Sequence, residues 1–379
     1  MSGKLNKKLK ILPALILVGF IFANTSFYFA NAFPLAKHDL SLTVVAMGKE
    51  YNFYYPEIDF YNGEPYLKNA EEVVDGICSD TIVKPKNAEV GIKPEQEFPF
   101  SFKNERLGKA IDKEDLLLKI DRALRNKEEK IYANVITLKP DVTVAKLQKS
   151  TYRRAFFTTN YAYSSQERKD NIKLCASLIG CLALEDNQVF SFNNVVGERT
   201  KERGFKNAKV IEKGKFIDGV GGGVCQVSST LYNAVLLSGL KIVERHQHSM
   251  TVSYVEPSFD AMVSMGYADL KFVNDTGGLV FVLAKTEGDT ITITIYGVKP
   301  EFSYERESVV IEKIPPPEYL KTPSEELLKG EERIVVYSKE GVVSQGYLNV
   351  FKNGKLVDKK LLSKDKYYPL QGEMLYGKN

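Results

Sequence analysis

The residues best suited to chemistry lie in one glycine-rich segment that contains a cysteine. Residues 219–234 read GVGGGVCQVSSTLYNA, so four glycines within five positions precede Cys225. Apolar residues then recur at helical spacing from Val227 to Leu237 and stop at Gly239, a common helix end. The sequence therefore predicts that the thiol lies at or just before a helix N-terminus, where the helix dipole and free N–H groups favour a nucleophilic thiolate.

Other roles for this segment stay open. The backbone amides at the helix start could hold an oxyanion, with Gly222 and Gly223 allowing a close approach. Gln226, Ser228 and Ser229 could line an anion site or cap the helix. A phosphate-binding loop is less favoured, because no lysine follows the glycines where a P-loop needs one. The thiol could also be a small buried hydrophobic group.

Two of the three histidines follow closely, in the stretch ERHQHS. If this stretch is a strand, His246 and His248 share one face, and either imidazole could act as base to the thiol. Asp260 could then orient the ring, so that Cys225, His248 and Asp260 form a thiol triad, with His248 preferred to His246. A metal site built from the histidines with Cys225 or Asp260, and purely structural histidines, are the alternatives. No cofactor is predicted.

Composition narrows the class of protein. The chain has 379 residues, 44% of them hydrophobic and 26% charged, which favours two or three folded domains. Its 52 basic and 48 acidic residues give a net charge of +4, too small a surplus to indicate nucleic-acid binding. Four cysteines cannot form a disulfide framework. Cys175 and Cys181 are predicted to be core thiols or a pair, and Cys78 is isolated.

The N-terminus has the pattern of an export signal or a membrane anchor. Residues 11–33 carry no charge and follow four lysines, Lys4, Lys7, Lys8 and Lys10. The run is long enough to span a bilayer, yet Ala30-Asn31-Ala32 resembles a cleavage site. Either way, residues 34–379 are predicted to lie outside the cytoplasmic membrane, in the cell envelope.

The rest of the chain predicts a multidomain α+β protein. An α+β region is expected over residues 34–148, with a helix that begins after Asp112 and a strand from Ile131 to Leu138. The glycine-rich segment falls in a second α+β domain, residues 149–300, which ends in a hairpin around Gly288. Three prolines at 315–317 predict a linker to a small all-β domain over 318–379, with a tight turn at Asn353-Gly354.

The chemical motifs together resemble the VanW family, which is named from a vancomycin-resistance gene cluster and is common in exported proteins of Gram-positive-type bacteria. The resemblance covers about residues 152–297 and rests on FSFNNVVGERT (190–200), RGF (203–205), GVGGGVCQVSSTLYNAVLLSGL (219–240) and ERHQHSMTVSYVEPSFDAMVSMGYADLKFVND (244–275). Two details depart from the family pattern: Gln247 stands where proline is usual between the histidines, and Ser258-Phe259 replaces a more polar pair. The first loosens the strand geometry assumed for the histidines.

Two weaker resemblances flank this region. Residues 87–148 resemble the peptidoglycan-binding domain that often precedes a VanW domain, and the C-terminal block resembles a small glycine-containing adhesion module of wall proteins. These resemblances imply peptidoglycan or another cell-wall polymer as the partner, and no established reaction. Within the family motif, Glu198 and Arg199 could bind a substrate carboxylate or amine, or form a structural ion pair.

Two functions therefore follow from the sequence. The protein could bind or act on peptidoglycan as an exported, envelope-associated module whose glycines and histidines serve architecture. Alternatively, it could be a cysteine-dependent acyl transferase or hydrolase of peptidoglycan peptides, in which Cys225 attacks a carbonyl and His248 is the base.

Overall fold

The computed structural model describes residues 39–212 and 215–378. The predicted signal or anchor segment, residues 1–33, lies outside these ranges. Within them, no helix has both the length and the apolar character needed to cross a bilayer. Contacts divide the chain into two units, one formed by residues up to Thr81 with Ile111–Val135, and one formed by Ile82–Ala110 with residues from Ile136 onward.

The described residues form six helices and 24 strands. Up to residue 149 these are β1 (Leu42–Ala46), β2 (Lys49–Phe53), β3 (Ile58–Tyr61), β4 (Glu64–Leu67), α1 (Ala70–Thr81), β5 (Glu89–Ile92), β6 (Phe100–Lys103), β7 (Gly108–Ile111), α2 (Lys113–Asn126), β8 (Lys130–Tyr132), β9 (Val135–Leu138) and α3 (Val144–Lys149).

The middle of the chain contains the glycine-rich segment. Its elements are β10 (Tyr152–Asn160), α4 (Gln166–Ile179), β11 (Cys181–Leu184), β12 (Val189–Ser191), α5 (Phe192–Val196), β13 (Asn207–Glu212), β14 (Lys215–Val220), α6 (Val224–Leu237), β15 (Lys241–Glu244), β16 (Lys271–Val273), β17 (Val280–Glu287) and β18 (Thr290–Gly297). The C-terminal elements are β19 (Ser303–Ile314), β20 (Leu320–Lys329), β21 (Glu332–Val336), β22 (Gly341–Lys352), β23 (Lys355–Tyr367) and β24 (Glu373–Gly377).

The first unit is a small α+β fold around β1. This strand pairs antiparallel with β2 and parallel with β8, and its inward residues Leu42, Val44 and Ala46 are fully buried. Helix α2 begins after Asp112, whose carboxylate accepts a hydrogen bond from the backbone of Asp115, as the sequence predicted. The single strand predicted for residues 131–138 is wrong, because two residues without strand pairing separate β8 from β9.

The second unit is built around α6, which is buried on nearly every side. Twelve of its 14 residues are buried, and the two exceptions are Cys225 and Leu237. The helix packs against β10 and β18 of the antiparallel sheet β10-β18-β17-β11, and also against α4, β15 and β19. The hairpin predicted around Gly288 is confirmed as β17 paired with β18. A helix surrounded in this way can hold a side chain at its first turn in one position.

The C-terminal strands form two three-stranded sheets, β19-β22-β23 and β20-β24-β21. The tight turn at Asn353-Gly354 is confirmed, with φ of 50° and 75°, between β22 and β23. The prolines at 315–317 lie between β19 and β20, outside any strand. Strand β19 precedes these prolines and pairs along β22, so this sheet begins at Ser303.

Because α6 is buried, a substitution that leaves a cavity in it should strongly lower the free energy of unfolding. Leu231 is fully buried, and we expect Leu231→Ala to lower the free energy of unfolding by about 2–5 kcal/mol. Leu328 is 73% exposed, and Leu328→Ala should change it by less than about 0.5 kcal/mol. Urea unfolding of both full-length variants measures the difference. Equal stability of the two variants would show that α6 is not packed as described.

Candidate active site

Cys225 lies in the first turn of α6, as the sequence predicted. The residue before the helix is Gly223, which has φ of 107° and no side chain that could cap the first N–H groups of α6. The Sγ atom lies 3.6 Å from the carbonyl oxygen of Val263, and the residue as a whole is partly buried. The thiol is therefore placed at a helix N-terminus, in a residue that is not fully buried.

His248 connects the thiol to a buried carboxylate. Its Nδ1 lies 2.6 Å from Oδ2 of Asp260, and its backbone N–H donates to the same oxygen at 2.7 Å. The imidazole also lies close enough to the Cys225 thiol to act on its pKa, and Nε2 is the ring nitrogen that Asp260 leaves available. His248 and Asp260 are 4% and 1% exposed. The three residues that the sequence singled out thus lie together as a series of thiol, imidazole and buried carboxylate.

The electrostatics of this series favour a thiolate paired with an imidazolium. Burial opposes the charge on Cys225, but the hydrogen bond and charge of His248, with the charge of Arg199, lower the pKa of the thiol below its usual value. Burial also opposes the charge on His248, yet hydrogen bonds to Asp260 and Cys225 raise its pKa to about 10. Against its own burial, Asp260 has its pKa lowered to about 2 by His248 and Arg245.

Asp260 has further partners that sequence reasoning missed. Its Oδ1 accepts hydrogen bonds from Arg245 Nη2 at 2.8 Å and from the Tyr367 hydroxyl at 2.5 Å. Arg245 Nη1 also donates to both oxygens of Asp365, at 2.8 and 2.9 Å. Burial and the Asp260 carboxylate raise the pKa of Tyr367 far above its usual value, which keeps the hydroxyl protonated as a donor. Tyr367 and Asp365 are over 100 residues from Asp260 in sequence, so no local pattern could have indicated them.

The polar residues that follow the thiol have structural roles. Ser228 Oγ donates to the carbonyl of Ala261 at 2.5 Å, and Ser229 Oγ accepts from the Ala261 N–H at 2.9 Å. Gln226 is 1% exposed and donates to the backbone carbonyl of Asn160 at 2.9 Å. These three side chains neither cap α6 nor face an anion at its start, because they are committed inside the fold. The two serines fix the strand-free segment that carries Asp260 against the helix.

The strand assumed for the histidines is wrong. β15 ends at Glu244, and beyond it His246 makes only an isolated bridge with Met262. Its ring Nε2 lies 3.0 Å from Glu244 Oε1, so His246 and His248 have different partners and do not act as a pair. No group of three or more metal-ligating side chains occurs in the part of the chain that the structure describes.

Of the other predicted site residues, Gly222 and Arg199 lie near Cys225, and Glu198 lies on the surface. A Cβ atom on Gly222 would lie 2.7 Å from the carbonyl oxygen of Lys209, so only glycine allows this loop to approach β13. Arg199 donates from Nη2 to Asn193 Oδ1 at 2.7 Å and acts electrostatically on the Cys225 thiol. Glu198 is exposed, and it forms no ion pair with Arg199 among the described residues.

The other cysteines do not take part in the site's hydrogen bonds. Cys78, Cys175 and Cys181 are all free thiols. Cys175 is buried in the core as predicted, whereas Cys181 is exposed at the start of β11, so its prediction as a core thiol is wrong.

Comparisons with known proteins match three parts of the chain. Residues 167–296 match the family described as VanW like protein, residues 305–375 match the G5 domain, and residues 66–133 match the family described as "Putative peptidoglycan binding domain". The chain therefore carries a VanW-like domain, and the predicted resemblances of the central and N-terminal regions are confirmed. The prediction of an all-β C-terminal domain is confirmed by the G5 match.

Two curated relatives share the central region. The chain is 44% identical over 147 residues to "Uncharacterized protein YoaR" of Bacillus subtilis, covering 39% of this chain and 48% of that protein. It is 33% identical over 125 residues to "Vancomycin B-type resistance protein VanW" of Enterococcus faecalis, covering 31% of this chain and 45% of that protein. The matched region thus spans just under half of each relative.

Two solved structures are similar to a part of the chain. "Crystal structure of HP0197-G5" is 23% identical, with a TM-score of 0.13, and the match covers 21% of this chain and 100% of that one. "IgA1 Protease G5 domain structure" is 22% identical, with a TM-score of 0.16, and the match covers 21% of this chain and 94% of that one.

The pairing of the Cys225 thiolate with the His248 imidazolium predicts that Cys225 reacts at a lower pH than an ordinary cysteine. Because the pKa of Cys225 is lowered, its thiolate persists as pH falls from 9 and is lost only when pH falls through the lowered value. We expect iodoacetamide at pH 7 to alkylate Cys225 about tenfold faster than the exposed Cys181, whose pKa burial raises. Mass spectrometry of the digested protein measures both rates. His248→Gln should slow Cys225 alone, and equal rates in the unaltered protein would contradict the ion pair.

The donors to Asp260 predict a second effect. Tyr367→Phe removes one donor to a carboxylate that is 1% exposed, and also the acceptor of the Ser258 N–H, and should lower the free energy of unfolding by about 1–3 kcal/mol. Tyr337 is 75% exposed, and Tyr337→Phe is the matched control, with an expected change of less than about 0.5 kcal/mol. Urea unfolding compares them. Equal free energies of unfolding for the two variants would show that the Tyr367 contact does not stabilise the protein.

Proposed function

We propose that the VanW-like domain of this protein is a thiol-dependent acyl transferase or hydrolase that acts on the peptides of peptidoglycan. The observation that carries the proposal is that the imidazole of His248, held by Asp260 through Nδ1, lies against the Cys225 thiol at the start of α6. It supplies a nucleophile, a group that can hold and return a proton, and a carboxylate that fixes the ring, which are the three roles that acyl transfer requires.

The chemistry begins with the thiolate of Cys225 attacking the carbonyl carbon of a peptide bond. The carbonyl oxygen then becomes an oxyanion, which the positive end of the helix dipole at the start of α6 stabilises. The imidazolium of His248 gives its proton to the leaving nitrogen, the C–N bond breaks, and a thioester remains on Cys225. Water or a second amine, losing its proton to His248, attacks the thioester and regenerates the thiolate.

Asp260 acts as a positioning residue in this scheme. Its Oδ2 holds the Nδ1 side of His248, which directs Nε2 towards the thiol, and its charge stabilises the imidazolium. Arg245 and Tyr367 hold the opposite oxygen, so the carboxylate cannot rotate away from the ring. The carboxylate is therefore held in place before the reaction begins.

The rest of the chain supports a place in the cell envelope. The VanW-like, peptidoglycan-binding and G5 matches together suggest a cell-wall-associated function. We extend this to export through the basic and apolar N-terminal stretch, which either remains as a membrane anchor or is removed. Retention on peptidoglycan or another cell-wall polymer through the region of residues 66–133 would bring the thiol to its substrate and does not depend on catalysis.

Turnover of peptidoglycan fragments tests the proposal. The unaltered full-length protein should release or exchange peptide from purified sacculi or soluble muropeptides, followed by chromatography and mass spectrometry. Cys225→Ala should lower the rate by about 10³-fold or more, and His248→Gln by about 10²-fold or more. Cys181→Ala, at an exposed thiol outside the site, is the control and should keep the full rate.

A covalent intermediate gives a second readout in the same experiment. Acid quenching should trap substrate mass on the peptide that contains Cys225 and not on the Cys181 peptide. If Cys225→Ala retains turnover, or the unaltered protein shows neither turnover nor a trapped thioester, the catalytic proposal fails and the wall-binding module remains.

A further inference from the structure

Two arginine side chains flank the glycine loop that leads into the thiol. A Cβ atom on Gly221 would lie 3.0 Å from Cβ of Arg199, and one on Gly223 would lie 3.1 Å from Cγ of Arg168. Both glycines also have positive φ, of 86° and 107°. Glycine at these positions therefore lets an arginine pack on each side of the backbone immediately before Cys225.

Neither guanidinium forms an ion pair with a carboxylate in residues 39–212 or 215–378. Arg168 donates from Nη1 to Ser164 Oγ at 2.6 Å, and its side chain is partly exposed. Arg199 Nη1 is buried and has no hydrogen-bond partner among the described residues. Asp269 is the acid that acts on Arg199 electrostatically, but its oxygens accept from Ser191 Oγ and from backbone N–H groups.

Unpaired arginines in a half-buried position call for an explanation, because buried charges in proteins are usually paired. Both guanidinium groups act electrostatically on the Cys225 thiol, so their charge is directed at the reaction centre. Asp260 already balances the imidazolium of His248, and Asp365 pairs with Arg245, so the thiolate and Asp269 are the acids left near Arg168 and Arg199. Neither of these acids accepts a hydrogen bond from Arg168 or Arg199 among the described residues, so both guanidinium groups keep N–H donors that an anionic ligand would engage.

We infer that Arg168 and Arg199 form a carboxylate-binding subsite beside Cys225, so that the bond attacked is the last peptide bond of a chain with a free carboxylate at its end. A guanidinium presents a planar fork of donors that matches a carboxylate. In the attack described above, the carbon–nitrogen bond to the terminal amino acid breaks, and that amino acid leaves with its carboxylate held by the arginines. This assignment of the substrate rests on the proposed function.

A pair of alkylating reagents tests the subsite without the natural substrate. Iodoacetate and iodoacetamide both form a carbon–sulfur bond with loss of iodide, and they differ in carrying a carboxylate or a neutral amide. We expect the iodoacetate-to-iodoacetamide rate ratio at Cys225 to exceed that at the exposed Cys181 by about tenfold, which is the effect of a charged hydrogen bond of ordinary strength. Mass spectrometry of digested full-length protein gives both ratios from one sample.

Variants assign the effect to the two arginines. Arg168→Gln and Arg199→Gln should each move the ratio at Cys225 towards that at Cys181, and Arg199→Lys should retain part of the preference. Lys201→Gln removes an exposed positive charge nearby in sequence and should leave the ratio unchanged. A ratio cancels any change in the thiolate fraction, because both reagents attack the same thiolate. A ratio at Cys225 equal to that at Cys181, or unaffected by both arginine variants, overturns the subsite.

Peptides separate this inference from the proposed function. A muropeptide with a free terminal carboxylate should be turned over about tenfold faster than its terminal amide, and Arg199→Gln should remove that difference. If no peptide reacts but the reagent ratio behaves as expected, the subsite stands and catalysis falls. If both peptides react equally, and the iodoacetate-to-iodoacetamide ratio at Cys225 is unaffected by the arginine variants, the catalytic proposal stands and the subsite is refuted.

Discussion

The carboxylate of Asp260 is the group on which the arrangement of the site depends. It is buried and charged, and its two oxygens accept hydrogen bonds from a backbone N–H, an imidazole, a guanidinium and a phenol. A buried carboxylate with fewer donors would be strongly destabilising, so these partners must be held together for the domain to fold. The orientation of His248, and through it the charge state of Cys225, follows from meeting that requirement.

Helix α6 fixes the position of the Cys225 thiol relative to Asp260. It is enclosed by strands, by α4 and by the segment around Ala261, and its buried serines and Asn233 bond to that segment's backbone. The usual objection to polar residues in a helix interior does not apply here, because each side chain satisfies a backbone group of a neighbouring segment that has no strand of its own. The thiol is thereby fixed relative to the carboxylate by many contacts that take no part in chemistry.

Sequence reasoning found the residues of the site better than it found their surroundings. Cys225, His248 and Asp260 were identifiable because their types, order and helical context are local properties of the chain. The strand assumed for the histidines failed because polar alternation over a few residues says little once a chain follows irregular contacts with a distant segment. Tyr367 and Asp365 depend on tertiary contacts across up to 120 residues, for which a single sequence carries no signal.

The contact between Tyr367 and Asp260 also bears on how such chains can be reassembled during evolution. The VanW-like match and the G5 match are separate stretches of sequence, ending at residue 296 and beginning at residue 305, which suggests domains that could be exchanged independently. Here the phenol of Tyr367, in the G5 match, donates a hydrogen bond to Asp260, in the VanW-like match. A different C-terminal domain joined to this one would keep the motifs intact but leave the buried carboxylate of Asp260 with one donor fewer, so the two stretches are expected to be inherited as one unit.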